Sequence, residues 1–346
     1  MTTEDRNTEL TQWVKQQLGV EQIHIQQLAG DASFRRYARI EVEGRHLIVM
    51  DAPTTHEDSR PFVGVNLMLA EHGVRVPKIL AYDLDRGLLL LEDLGDTLLS
   101  DALTAENADA LYAHAINQLI DLQHTPILSD WALPSYSQDK LISEMRLFDQ
   151  WFLPYVLQRD LTTDESARLV QVYEVLASHA LIQPQVVVHR DYHCRNLMVL
   201  RDETALGIID FQDAVIGPIS YDLVSLLRDA YVAWPQAQVQ QWVEMFWQRS
   251  QLKGQLANVS LAQFEQWFDL MGAQRHLKVL GIFVRLSQRD GKHGYLGNLP
   301  LVLAYLILET LHHPELAGFG GWLRSTVLPA AIELMPEDRV MLESLL

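Results

Sequence analysis

His189-Arg190-Asp191-Tyr192-His193-Cys194-Arg195-Asn196, followed at Asp210-Phe211 by a second acid, is the stretch on which the fold turns. The apolar runs VVV before it, and NLMVL and LGIID after it, read as short strands that clamp the intervening loop. An Asp, an Asn one short loop later and an Asp on the neighbouring strand are what magnesium-dependent phosphoryl transfer asks for. The first orients the attacking hydroxyl, while the amide oxygen and the second carboxylate hold the ion. This reading makes Asp191 the catalytic base and Asn196 and Asp210 the Mg²⁺ ligands. A surface turn also draws Asp and Asn, because both bond their own backbone. Such a turn does not demand the whole specified set plus an Ile-Asp-Phe strand after the gap.

Outward from this loop the chain changes character. Between Ile23 and Glu92, IHIQQLAG, RRYARIEVEGRHLIVMDAP and KILAYDLDRGLLLLEDLG read as strands joined by turns at Glu43-Gly44 and Asp85-Arg86-Gly87. One helix interrupts them from Pro61 to His72, with Pro suited to a first turn and Gly73 to a stop. Beyond Asp96, helical periodicity dominates, as in 107–123, 140–157 and 164–180, with β character only between Val186 and Phe211 and helices resuming at Asp222. The expected fold is α+β and bilobal: residues 1–95 a small nucleotide-binding sheet with one helix, residues 96–346 a large helical lobe carrying the catalytic loop.

Composition narrows the function. The chain is 48% hydrophobic and 21% charged, an ordinary globular balance, so disorder is expected only at the ends. A net charge of -18 argues against nucleic acid and anionic membranes as partners and leaves a small molecule. Cys194 is the single cysteine, so no internal disulfide or thiolate zinc cluster can form, which suits a reducing cytoplasm. The acidic N-terminus lacks a signal-peptide pattern. LPLVLAYLIL from Leu299 is too short to span a bilayer and reads as a buried helix.

HRDYHCRN matches the kinase catalytic loop H-R-D-x-x-x-x-N, and IDF the start of the D-F-G site, with Gln212 in place of its glycine. With the Gly30-Asp31-Ala32-Ser33 turn, LLLLEDLG and GPISYDL, the chain resembles the aminoglycoside phosphotransferase and choline-kinase-like superfamily over nearly its whole length. More narrowly, GDASFRRY, HRDYHCRNLM and IDFQDAVIGPISYDLVSLLRDAY look like bacterial cell-wall recycling kinases that phosphorylate N-acetylmuramate and N-acetylglucosamine at the anomeric position. The resemblance implies ATP with Mg²⁺, an amino-sugar acceptor and no obligate protein partner. It implies that Gly30, Asp31, Ala32, Ser33 and Phe34 cover the phosphates, that Glu92 and the backbone near Leu94 bind adenine, and that His189 and Asp222 support the loop. Asp222, just after Gly217-Pro218, would also serve as a simple helix cap.

One part is missing. Met50 stands where a kinase strand carries its phosphate-binding lysine, and the 61–70 helix has no acid to pair with one. Arg36, Arg35 or Lys78 is the expected substitute. Cys194 and His193 read as loop packing, not as a nucleophile and base, and His312-His313 as surface residues. In an acidic chain, RLSQRDGKH puts Arg285 and Arg289 four apart on one helical face. This pattern suits either a solvated helix end or, together with Asp213, an acceptor site in which an arginine holds the lactyl carboxylate of N-acetylmuramate. Two rivals stay open: an aminoglycoside or other small-molecule phosphotransferase, and a nucleotide-binding pseudokinase scaffold.

Overall fold

Five antiparallel strands in the order β1-β2-β3-β5-β4 form the first sheet: β1 His24–Gln27, β2 Arg36–Val42, β3 Arg45–Asp51, β4 Ile79–Asp83 and β5 Leu88–Glu92. The computed structural model describes residues 3–28, 34–126, 132–201, 206–311 and 313–344. The β2–β3 hairpin turns on Glu43 (φ 53°) and Gly44 (φ 74°), the positive pair that a two-residue loop needs to match strand twist. α1 (Thr3–Leu18) corrects the expectation of a disordered N-terminal end. Its Leu10, Trp13 and Val14, spaced for one helical face, pack against Ala38, Ile40, Val49, Leu88 and Leu90 of the sheet. α2 (Arg60–Glu71) follows β3 and ends before Gly73 (φ 80°), and α3 (Leu99–Ala102) follows β5.

The remaining helices that position the site are α4 (Ala108–Gln123), α5 (Gln138–Met145), α6 (Leu153–Leu157), α7 (Thr163–Leu181), α8 (Tyr221–Leu227), α9 (Gln236–Leu252), α10 (Leu261–Asp290) and α11 (Leu299–Leu311). The sequence predicts one helix over 140–157, and the chain is helical across it apart from a turn at Arg146: α5 leads into a π-turn at Phe148–Phe152 and on into α6, the wider turn falling where Pro154 has no N–H to donate four residues back. α7 begins on a capping box in which Thr162 and Glu165 bond each other's backbone N–H. β6 (Gln185–Val188), paired with β9 (Val215–Pro218), precedes the 189–196 loop in the chain, and β7 (Leu197–Val199), paired with β8 (Leu206–Ile208), follows it. β9 lies where the sequence reading has no strand. His293–Leu311 is apolar and long enough for a membrane by length and composition, but half of it is buried against the protein, as in a core helix.

Contacts divide the chain into two compact units. The smaller comprises Met1–Leu103, Thr125–Ala132 and Arg195–Ala214; the larger comprises Thr104–His124, Leu133–Cys194 and Val215–Leu346. α10 is the central helix of the larger unit, against α11, α7, α8 and the π-turn.

Candidate active site

In the larger unit, the buried strand β6 delivers the chain to His189, and two carboxylates then grip the loop's backbone. Asp222, fully buried in the first turn of α8, accepts from the N–H of His189 (2.6 Å) and of Arg190 (2.9 Å). Asp229 accepts from the N–H of Cys194 (3.2 Å). Arg190 is thereby held at φ 79°, a conformation that a non-glycine residue keeps only when its surroundings fix it. Its side chain bonds Glu144 (2.5 Å) and its carbonyl accepts from Arg275 Nη1 (2.8 Å). Asp191 follows directly. His189 lies behind it, with Nδ1 accepting from the Asp191 N–H at 3.3 Å. Cys194 is buried, in keeping with a packing role.

A buried ionic cluster surrounds Asp191. Arg275 Nη2 lies 3.8 Å from Asp191 Oδ1. Lys278, one turn along α10, is 3.0 Å from Tyr221 Oη and 3.3 Å from Glu144, which also takes the hydroxyl of Tyr136. Burial works to raise the Asp191 carboxyl, but the cations Lys278 and Arg275, with His193 and His189 behind them, outweigh it and hold it well below the usual carboxylate range. Glu144 is also lowered: burial raises it, and Lys278 and Arg190 more than offset that. Asp222 goes the other way. Burial lifts it to about 7, against the pull of its two N–H donors. The sequence reading omits Arg275, Lys278 and Glu144. The available signal is two cations three apart in a stretch of α10 bounded on both sides by apolar residues, a placement that demands buried partners.

The metal-ligand candidates belong to the smaller unit. The Ile209 N–H donates to the Asn196 carbonyl (3.1 Å), and Asn196 Nδ2 lies 3.4 Å from Asp210 Oδ2. Asp210 is not on a strand as expected: β8 ends at Ile208, and Asp210 sits beyond it at φ 64°. The turn frees its carboxylate from the sheet. Gln212 donates to its Oδ1 at 2.8 Å, and buried Phe211 packs on Phe62 of α2 (4.9 Å between ring centres). An adjacent amide and carboxylate suit Mg²⁺, which takes one or two protein oxygens and completes its shell with water and phosphate. Among the described residues no group of three or more His, Cys, Asp or Glu is placed to hold a metal.

Of the residues expected around the nucleotide, Gly30, Asp31, Ala32 and Ser33 lie outside the described residues. Phe34 is exposed and stacks on His56. Arg36 and Arg6 share the buried Asp51, so the charge of Arg36 is compensated at the end of β3. The Glu92 side chain pairs with Arg75 (2.8 and 3.0 Å) and accepts from the Lys78 N–H, which occupies its oxygens. Leu94 packs where a Cβ on Gly207 would stand. Met50 is fully buried.

Of the residues expected at the acceptor, Asp213 is exposed in the turn after Asp210. Arg289 is exposed and bonds its neighbour Asp290 at 2.7 and 2.9 Å. Arg285 is half-buried, and its Nε is enclosed without a hydrogen-bond partner. His312 lies outside the described residues. His313 is not on the surface as expected but buried 3.5 Å from Asp269, in a cluster with Arg228, Glu309 and His276.

Residues 24–259 match the profile of the phosphotransferase enzyme family. The chain belongs to that family. Among curated relatives, an N-acetylmuramate/N-acetylglucosamine kinase of Pseudomonas putida is 45% identical, with 84% of this chain and 85% of the relative covered. A protein of the same name from Neisseria meningitidis is 38% identical over 90% and 93%. Among solved structures, an ADP-bound aminoglycoside phosphotransferase superposes with a TM-score of 0.57 at 15% identity, covering 85% of this chain and 96% of the other. A Plasmodium vivax ethanolamine kinase gives 0.58 at 10%, covering 81% of each. The phosphotransferase fold, with a five-stranded sheet in one lobe and helices in the other, is thus shared with kinases of unrelated acceptors.

Proposed function

We propose that this phosphotransferase moves the γ-phosphoryl group of ATP to the anomeric C1 hydroxyl of N-acetylmuramate and, less well, of N-acetylglucosamine, in the cytoplasm. The observation that carries this reading is the 45% identity, over most of both chains, to a kinase named for those two sugars.

Asp191 is the group that receives the proton. As the bond from O1 to phosphorus forms and the bond from phosphorus to the ADP oxygen breaks, the O1 proton passes to Asp191. An anomeric hydroxyl is more acidic than an ordinary alcohol, so a carboxylate held ionised by Lys278 and Arg275 is base enough. Most of its work is orientation, which a loose transition state rewards. The grip of Asp222 and Asp229 on the loop backbone supports that orientation. Asn196 and Asp210 would hold Mg²⁺, which when bound neutralises charge on the phosphates.

Charge along α10 favours an anionic acceptor. At 100° per residue, Arg275, Lys278, Arg285 and Arg289 fall within an arc of about 80°, the side of the helix that faces Asp191. Arg285 lies two turns past Lys278, about 10 Å along the axis, within reach of a substituent on a sugar whose C1 is at Asp191. His193, Tyr231, Phe283 and Tyr295 form a chain of ring contacts beside the loop, at 5.4, 6.4 and 5.2 Å in turn. Three of these cations already face carboxylates, Asp191, Glu144 and Asp290, which leaves Arg285 to meet an anionic substituent. The test is turnover with MgATP on a panel of N-acetylmuramate, N-acetylglucosamine and a kanamycin-type amine, with phosphorus NMR of the product. A sugar 1-phosphate is expected. Phosphate at another carbon, or preference for the amine, would overturn the reading.

A further inference from the structure

We infer that Arg35, held by Glu57, takes over the phosphate-binding task of the absent strand lysine. The inference rests on the phosphotransfer reading above and assigns a part that the reading leaves empty.

The lysine's own position cannot be rescued in place. Met50 is fully buried within the sheet, Arg36 is tied to Asp51 beside Arg6, and Lys78 is exposed, with its backbone N–H engaged by Glu92. Arg35 remains. It immediately precedes β2 and meets Glu57 at 3.2 Å, with only 11% of the arginine side chain and 18% of the glutamate side chain exposed. The residues before them also meet: Phe34 stacks on His56 at 4.7 Å, so the two segments are joined at successive positions. A kinase pairs its lysine with an acid on the helix, and here the acid lies just before α2.

Strand register places Tyr37, two residues after Arg35, beside the lysine's position. Tyr37 is the cross-strand partner of Met50, so its side chain shares a face of the sheet with the lysine's vacated place. α2, which begins just after Glu57, packs Phe62 onto Phe211, the residue next to Asp210. The Tyr37 hydroxyl reports the same neighbourhood: burial raises its pKa, Arg35 lowers it through charge and a hydrogen bond, and Asp210 and then Glu57 raise it. A guanidinium in such a place, half-buried and braced by an acid, is suited to a diphosphate because its planar fork bonds two oxygens at once.

The test is nucleotide binding by the full chain, measured by calorimetry with ADP, AMP and adenosine, with and without Mg²⁺. Arg35→Ala should weaken ADP at least tenfold and leave adenosine within twofold; Arg35→Lys should recover part of the loss. Glu57→Gln, which frees the arginine to swing away, should lower the ADP-over-AMP preference severalfold. A merely structural pair would lower the melting temperature and leave that preference where it was, which would overturn the inference, as would unchanged ADP affinity in Arg35→Ala. Wild-type protein that binds ADP no better than adenosine would sink the phosphotransfer reading itself.

Discussion

At the scale of single residues, the site depends on where charge is tolerated. Asp191 keeps about 43% of its side chain exposed and faces cations, so it stays ionised, whereas Asp222 is fully buried and does not ionise freely. Asp191→Asn preserves shape but accepts no proton. Its kcat should fall by about two to four orders of magnitude, with ADP affinity retained. Near-native turnover would remove Asp191 from its role. For Asp222 the pH dependence has a definite sign. Its folded pKa, about 7, lies above the unfolded one, so the fold binds the proton more tightly than the unfolded chain does. Its contribution to stability is therefore full in acid and lost as pH rises toward 7. Urea denaturation should show wild type losing stability relative to Asp222→Asn between pH 4 and pH 7, and parallel curves would refute this.

At the scale of elements, α10 joins the site to the core. Its middle must approach the chain before the π-turn so closely that a Cβ on Gly281 would stand 2.2 Å from the Leu147 carbonyl carbon. Backbone cannot move aside as a flexible side chain can. Gly281→Ala should therefore destabilise the protein by about 1–3 kcal/mol, against the small gain that alanine brings to an unconstrained helix. A raised melting temperature would show that the contact is looser. The π-turn within 140–157 has the same logic, since it brings Phe148 and Phe152 together into the core.

At the scale of the whole molecule, an acidic protein of net charge -18 must attract acidic substrates through local cations. On the proposed reading, Arg285 of α10 and Arg35 of the smaller unit are those local sites. Arg285→Ala should weaken N-acetylmuramate by roughly 2 to 5 kcal/mol if its carboxylate pairs in a dry site, while leaving N-acetylglucosamine nearly unchanged. KM measured for both sugars decides it, and equal losses would remove the carboxylate role. The choice of arginine now falls on Arg285 alone, because Arg289 is neutralised by Asp290 in solvent.

The five strands of the first sheet, α2 after them and the short strands on either side of the 189–196 loop were legible in the sequence because their signals are local. Hairpin turns, helix stops and HRDYHCRN with IDF are read from neighbours, and the Asp222 bond to the loop had only the resemblance to suggest it. α1 was missed because its apolar face is short and its charges many, and the sheet alone gives that face a purpose. The strand expected under Asp210 was misplaced because a left-handed residue costs nothing visible in a one-dimensional pattern. Only the tertiary structure decided which cations are engaged. Asp51 claims Arg36, Asp290 claims Arg289, and Glu57 claims Arg35, while Arg275 reaches Asp191 from 84 positions away and Lys278 reaches Glu144 from 134. Ion pairing depends on distance through space and on burial, and a chain's charges carry no record of either until it has folded.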